Sequence, residues 1–496
     1  MPNPTDPLLF RTRWSSSDPR DLFDVDNPAT GQVFARVQGS GLAEADAAIR
    51  TAHAAFPSWR DTPAARRGEL LMAAGRHLEA HARELAELVS RENGKPVRDA
   101  LAFDVASLIG SFAYFGSLAG KLAGEHLDLG FVTSSTVREP FGVVAGIIPF
   151  NWPPIHTGAK VAPALAAGNA IVLKPGDQAP LTIMRIVELL NEVLPADLVH
   201  VLPGVGAAIG QALTTHPLVR KISFTGAPGT GSAVLRAAAE RHVPVLCELG
   251  GKNPFVVMPD ADLDRAVRDA IDGAYFNKGE ACTAASRLLV HTDVHDVFVE
   301  RLGAAVRRLR SGDGAVDGTH VGPVISRTQK EKVEAYIRIG REEGATVAAQ
   351  GALPDDPKLA GGYFVAPTLF TGVTRDMRIA REEIFGPVTC VMRFADEAEA
   401  VSIANSTDFA LVAGIYSRSE PTAQRLARRI EAGIVFINNY NRMVLGTPFG
   451  GTKSSGYGRE HCADTLKEFT YPKAIRTPTG RVPVPEWAGV TEVFGG

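Results

Sequence analysis

Cysteine is scarce in this chain. Four residues among 496, Cys247, Cys282, Cys390 and Cys462, are too few for a disulfide framework, and no CxxC pair offers zinc-ligand spacing. A reducing, cytoplasmic setting with no bound metal is the expectation. An excess of one charge is also missing: 52 Lys+Arg stand against 55 Asp+Glu, a net charge of −3, with no basic run. That balance argues against a nucleic-acid partner and against an anionic membrane surface. Long apolar runs are absent too. The longest, residues 161–173, is interrupted by Asn169 and stops at Lys174, short of the ~20 residues that span a bilayer. The apolar cluster at residues 8–10 is far too short for a signal-peptide core. There is no internal repeat and no low-complexity tract.

What is present is a chain that is 45% hydrophobic and long enough, at about 150 residues per domain, for roughly three units with real cores. A turn-rich pentapeptide, Asn27-Pro28-Ala29-Thr30-Gly31, precedes helical periodicity over 42–56, 64–91 and 101–124. In the second stretch Leu70, Leu71, Ala74, Leu78 and Leu85 fall on one face and Arg76, Glu79 and Arg83 on the other. From Val143 onward, short β-rich runs alternate with helices: strands over 170–174, 198–202 and 220–224, and helices near 181–194 and from Pro228. A second series places strands at 255–258, 287–291, 389–394, 411–416 and 433–438. This rhythm predicts two α/β units with parallel sheets, one on each side of Gly250-Gly251. The strand-like segments 134–138 and 469–476 have no evident partner in either sheet. The tail from Thr477, with Pro478, Pro483 and Pro485, is expected to be extended.

Several short patterns invite chemistry. Gly204-Val205-Gly206 is followed by Gly210, a GxGxxxG spacing that does not match a dinucleotide fingerprint and reads as a turn. Gly226-Ala227-Pro228-Gly229-Thr230-Gly231 follows a predicted strand and opens a helix, where bare backbone can approach a pyrophosphate or simply make a strand-helix turn. Cys282 lies in a polar, glycine-containing stretch that suits an accessible thiol, whereas Cys247 borders the apolar run 243–246. Glu248 ends that run. Burial there raises the pKa of a carboxylate, as a general base requires, unless backbone amides pair with it. Asn151, between Ile147-Ile148-Pro149-Phe150 and Trp152-Pro153-Pro154, can brace a turn or aim its NH2 at an oxyanion.

Taken together, Pro149-Phe150-Asn151-Trp152-Pro153, Gly168-Asn169 through Lys174-Pro175, Phe224-Thr225-Gly226, Glu248-Leu249-Gly250-Gly251-Lys252, Cys282, Glu383-Ile384-Phe385-Gly386-Pro387 and Pro448-Phe449-Gly450-Gly451-Thr452-Lys453 occur in a telling order. They resemble the NAD(P)-dependent aldehyde dehydrogenase superfamily, from about Asn27 to Tyr471, including the 34-residue interval from Glu248 to Cys282. The resemblance implies an α/β fold with a Rossmann-like cofactor domain (1–120 and 141–249) and an α/β catalytic domain (250–453). It further implies a small β oligomerisation arm (121–140 and 465–476), ahead of the tail 477–496, and hence a homodimer or homotetramer. It implies that Cys282 is the nucleophile, that Asn151 with the Cys282 N–H holds the oxyanion, and that Glu248 activates the water that hydrolyses the thioester. It puts NAD, or NADP, on Lys174, Asp177, Gly226, Gly231, Leu249, Glu383 and Phe385.

Two departures bear on the cofactor: Asp177 is shorter than the family's usual glutamate, and Ala227 replaces a frequent serine. The substrate pocket is expected to include Trp152, His156, Ala159, Phe276, Met443 and Phe449, with Arg442 nearby. Semialdehyde-oxidising relatives carry arginines where Ala159 and Phe276 stand here. An uncharged aromatic or medium-chain aldehyde is therefore expected. A semialdehyde dehydrogenase, a CoA-acylating enzyme and a catalytically silent protein on the same fold are the alternatives.

Overall fold

The computed structural model describes residues 7–440 and 443–495. A three-stranded sheet (Leu8–Phe10, Leu22–Asn27, Gln32–Gln38) comes first, and the turn at Asn27 docks against a distant loop, where Tyr363 Oη donates to Asp26 at 2.6 Å. The first helix runs Leu42–Asp61. The periodicity over 64–91 belongs to two helices, Ala64–Ala80 and Ala82–Asn93, because the backbone leaves helical geometry at His81. Leu71, Ala74, Leu78 and Leu85 are fully buried on the expected face and Leu70 is half-buried.

The helix expected over 101–124 begins earlier, with Val97–Asp99, and ends at Leu118. Its middle, Ala100–Val105, is wound as a π-helix, a form that often marks functional positions. Val97–Leu118 is also long and apolar enough, by length and composition, to cross a membrane. Leu108, Phe112 and Phe115 on this helix are fully buried in the largest hydrophobic cluster, which accounts for that composition.

Two sheets carry the rest. The first has the order Gly456–Tyr457, Val245–Glu248, Val219–Thr225, Val143–Ile147, Ala170–Lys174, Val199–Val201, and all but Gly456–Tyr457 are parallel. Numbered along the chain, its parallel strands lie 3-2-1-4-5, a Rossmann-like order whose switch point falls between Val143–Ile147 and Val219–Thr225. Ligands of such sheets bind beyond the carboxyl ends of the strands at that switch point. The second sheet has the order Thr346–Gln350, Thr368–Thr371, Val388–Phe394, Arg287–His291, Pro254–Val257, Val412–Tyr416, Ile434–Ile437, and all but the first are parallel.

The segments without an evident partner pair with each other. Val132–Pro140 runs antiparallel to Thr470–Pro478 and to His126–Asp128 in a separate three-stranded sheet. The tail is not wholly extended as expected: beyond its prolines, Ala488–Phe494 forms a short exposed helix. A proline bars helix only at and just before itself, and none lies past Pro485.

Candidate active site

The carboxyl ends of three adjacent strands of the first sheet supply the site's first residues. Past Ile147 the chain turns through Phe150-Asn151 into the helix Pro153–Ala166; Thr225 leads into Gly226; and Glu248 is the last residue of its strand. Glu248 is 2% exposed and neither carboxylate oxygen has a hydrogen-bond partner. The backbone amides that a merely structural glutamate would recruit do not reach it. Burial first, and then the neighbouring Glu460 carboxylate, push its pKa well above the usual carboxylate range. Gly450, at φ +150°, lies so close that a Cβ would stand 2.6 Å from Glu248 Oε1. Glu460 is itself paired: Lys160 Nζ donates to its Oε1 at 3.0 Å, to Ser223 Oγ at 3.0 Å and to Thr225 Oγ1 at 2.8 Å, all buried.

Cys282 arrives from the second unit, in the loop between the helix Leu263–Tyr275 and the strand Arg287–His291. It is half-buried, so the accessible thiol of the sequence reading is accessible only within a cleft, and burial followed by the Glu383 and Glu248 charges raises its pKa. Cys247 is fully buried in its strand. The loop before Cys282 is strained: Asn277 and Lys278 both take positive φ (49° and 51°), a conformation that costs a non-glycine residue about 1–3 kcal/mol. Buried bonds hold it there. Lys278 Nζ donates to the Asn93 carbonyl at 2.6 Å, and Asn277 Nδ2 donates to the Asn151 carbonyl at 3.2 Å and the Glu280 carbonyl at 3.0 Å.

The same network brings Asn151 to the loop. Its Nδ2 donates to the Glu280 carbonyl at 3.1 Å while Oδ1 has no partner. The structure thus brings Asn151, Glu248 and Cys282, spread over 131 residues of chain, together: Asn151 bonds the loop two residues before Cys282, and Glu248 lies close enough for its charge to act on the thiol.

The cofactor candidates divide. Lys174 is buried at the end of its strand with Nζ on the Pro175 carbonyl at 3.2 Å; burial lowers its pKa and the nearby Asp177 charge opposes that. Gly226 donates its N–H to the Glu248 carbonyl at 3.0 Å. A Cβ at Gly231 would stand 2.5 Å from Leu249 Cδ2, so Gly231 and Leu249 are a packing pair between helix and strand end. Open space lies beside Gly229, between Gly226 and Gly231 in the same turn, at the first turn of the helix Pro228–Ala239. Glu383 accepts from the Gly251 N–H at 2.9 Å, and Phe385, at φ +59°, packs edge-on against Phe150 at 5.9 Å. The unobstructed backbone at the start of that helix suits a pyrophosphate, and the carboxylates of Asp177 and Glu383 suit ribose hydroxyls. Among the described residues no group of three or more His, Cys, Asp or Glu could hold a metal ion.

The other wall is largely aromatic. Trp152 and Phe276 pack with tilted rings at 5.5 Å, Phe103 from the π-helix meets Phe276 edge-on at 4.9 Å, and Phe449 packs edge-on against His461 at 5.6 Å. Lys95 Nζ sits 3.6 Å from the Trp152 ring centre, paired with buried Asp104, also of the π-helix, at 2.7 Å. Ala159 is fully buried, Met443 is half-buried, and Arg442 lies outside the described residues. His156 is 7% exposed with neither ring nitrogen partnered. Sequence reasoning missed Asn253, Lys160, Glu460, Lys95 and Phe103. Only the adjacency of Lys160 to Ala159 in sequence hinted at any of them.

A sequence model of the Aldehyde dehydrogenase family matches residues 14–475. An aldehyde dehydrogenase of Didymella fabae is 53% identical over 481 residues, covering 97% of this chain and 97% of its own. Among solved structures, PnpE in complex with nicotinamide adenine dinucleotide superposes with a TM-score of 0.91 at 39% identity, over 94% of this chain and 96% of that one. Betaine aldehyde dehydrogenase of Staphylococcus aureus, in complex with NAD+, superposes with a TM-score of 0.92 at 36% identity, over 96% and 94%.

Proposed function

The chain belongs to the aldehyde dehydrogenase family, whose members oxidise aldehydes, and we propose that it converts an uncharged aromatic or medium-chain aldehyde to the carboxylic acid with NAD as electron acceptor. The observation that carries the hydrolytic outcome is the buried, unpaired carboxylate of Glu248 facing the cleft of Cys282. A glutamate held in salt bridges would be a poor base. This one, with its pKa raised by burial and by Glu460, is a stronger proton acceptor than an ordinary carboxylate.

Cys282 Sγ attacks the aldehyde carbon, and the thiol proton passes to Glu248 as the C–S bond forms. The Cys282 N–H and the Asn151 side-chain amide hold the oxyanion of the thiohemiacetal. NAD, when bound, takes the two electrons and the hydrogen of the aldehyde carbon, leaving a thioester on Cys282. Glu248, once it has released the thiol proton to solvent, removes a proton from water as it adds to that thioester; the C–S bond then breaks, Cys282 Sγ takes up that proton, and the carboxylic acid leaves with the thiol restored. Lys160 and Glu460 form a buried polar continuation behind Glu248.

On this reading residues 1–120 and 141–249 form the cofactor domain, 250–453 the catalytic domain, and the segments 121–140 and 465–476 the arm that joins subunits of a homodimer or homotetramer. Exposed Leu127, Tyr471 and Ile475 on the three-stranded sheet support the last assignment. Four free cysteines support a cytoplasmic setting.

The substrate class rests on what lines the cleft. Trp152, Phe276 and Phe103 offer an apolar wall, and without a guanidinium at position 159 or 276 a buried substrate carboxylate would lack a partner, at a cost of several kcal/mol. Lys95 already covers one face of Trp152, which disfavours a cationic aldehyde there. The test is an aldehyde panel with NAD, with and without CoA, read at the reduced-nicotinamide absorbance. Oxidation of benzaldehyde and hexanal without CoA supports the reading. Strict dependence on CoA, or succinic semialdehyde giving the highest kcat/KM, overturns it.

A further inference from the structure

Unpartnered buried polar atoms concentrate around this cleft. They include Asn151 Oδ1, both oxygens of Glu248, both ring nitrogens of His156 and Nδ1 of His461. Buried polar groups are ordinarily paired, so each of these calls for a partner the chain does not itself supply. The aldehyde oxygen accepts from the Asn151 amide nitrogen, and the hydrolytic water can donate to Glu248 and to Asn151 Oδ1. Neither accounts for His156.

Its place in the fold points to the body of the substrate. His156 and Lys160 lie four residues apart on one face of the helix Pro153–Ala166, and Trp152 caps that face, the His156 N–H donating to the Trp152 carbonyl at 3.1 Å. At one end of that face Trp152 packs against Phe276; at the other Lys160 reaches Glu460, beside His461 and Phe449. His156 therefore stands between the aromatic wall and the general base. Burial and the charges of Lys160, His461 and Lys95 keep its imidazole neutral, with one N–H donor and one lone-pair acceptor.

Resting on the aldehyde dehydrogenase reading above, we propose that His156 is a substrate-recognition residue whose unpartnered imidazole hydrogen-bonds an uncharged hydroxyl on the body of the aldehyde. A hydroxyl can donate or accept, so it satisfies the neutral ring in either tautomer. An apolar aldehyde of the same size leaves both nitrogens unpaired. Sites built to bond a hydroxyl discriminate strongly against the analogue that lacks it.

The experiment compares benzaldehyde with 2-, 3- and 4-hydroxybenzaldehyde at saturating NAD, in wild type and in His156→Leu. In wild type at least one hydroxy isomer is expected to exceed benzaldehyde about tenfold in kcat/KM. In His156→Leu that ratio should fall to within about twofold of unity; taking the ratio of ratios cancels the electronic effect of the ring substituent. His156→Asn, which keeps a donor and an acceptor, should restore part of the preference. If the leucine variant does not fold, His156→Phe removes both nitrogens while keeping the ring. No favoured isomer in wild type, or a preference that survives loss of the imidazole, overturns the proposal. Wild type that oxidises hexanal but none of the four also overturns the proposal, whereas wild type that oxidises neither hexanal nor any of the four would overturn the reading on which it rests.

Discussion

The side-chain amide of Asn253 donates to the Cys282 carbonyl at 2.8 Å. The same nitrogen reaches the Ala284 carbonyl at 2.9 Å, and its oxygen accepts from the Val412 N–H at 3.2 Å, so one buried residue ties the nucleophile's loop to the strand Val412–Tyr416 of the second sheet. Asn253 is thus a positioning residue for the thiol and for the oxyanion-binding N–H of Cys282. Asn253→Ala should lower kcat by about 10–10² while KM changes little, since a displacement of about 1 Å at a reacting centre costs that much. Iodoacetamide labelling of Cys282 should slow in parallel. An unchanged kcat with only a lower Tm would make Asn253 purely structural.

Cys282→Ala should abolish turnover while NAD binding, followed by quenching of tryptophan fluorescence, persists. Cys247 is fully buried in the strand that ends at Glu248, so Cys247→Ala should keep turnover within a few fold of wild type. Activity retained by the Cys282 variant would require a different nucleophile.

Glu248→Gln should release one equivalent of reduced cofactor and then stall, with steady-state turnover down by ~10²–10⁴. Because burial and Glu460 raise its pKa, the acid limb of the wild-type kcat profile should lie above the ordinary carboxylate range near 4.5, and rate should rise with pH through that limb. Turnover in the glutamine variant at the wild-type rate would point to another base.

The cofactor preference follows from one carboxylate. Asp177 lies close enough to Lys174 for their charges to interact, and a carboxylate there accepts from a ribose 2′-OH but repels a 2′-phosphate. The ratio of kcat/KM for NAD over NADP should exceed unity and should fall about tenfold in Asp177→Asn. A wild-type preference for NADP would place Asp177 away from the ribose.

Stability should depend on pH through His200, remote from the cleft. Trp14 Nε1–H donates to His200 Nδ1 at 3.1 Å, which requires the neutral ring, and burial lowers the His200 pKa to about 4. Its folded pKa is below the unfolded value of about 6.5, so this contribution is intact above pH 6.5. As pH falls toward 4 the unfolded ring binds a proton that the folded one refuses, a loss on the order of 3 kcal/mol. Tm should drop over that window in wild type and drop less in His200→Phe.

Much of the site was legible in sequence because its chemistry sits where strands end. Asn151, Glu248 and Cys282 each lie beside an apolar run or a glycine turn, and local patterning alone located the strands at 170–174 and 287–291. The two α/β units were legible for the same reason: the alternation of buried strands with amphipathic helices is a local signal. Three things were not local. The helical period over 64–91 was right, but the break at His81 and the π-turn at Ala100–Val105 answer to packing, the latter placing Asp104 under Lys95 and Phe103 against Phe276. That Gly231 packs against Leu249 while the space beside Gly229 stays open is a contact between helix and strand end that no local pattern shows. And the partners that set the character of the site are distant in the chain: Asn253 bonds Cys282 across 29 residues and Lys160 bonds Glu460 across 300. The sequence alone determined which side chains can do the chemistry, since nucleophilicity and basicity belong to residue types. Whether Glu248 stays unpaired, whether Cys282 is held, and whether His156 lacks a partner depend on burial and distance, and those exist only once the two sheets and the loops between them have packed.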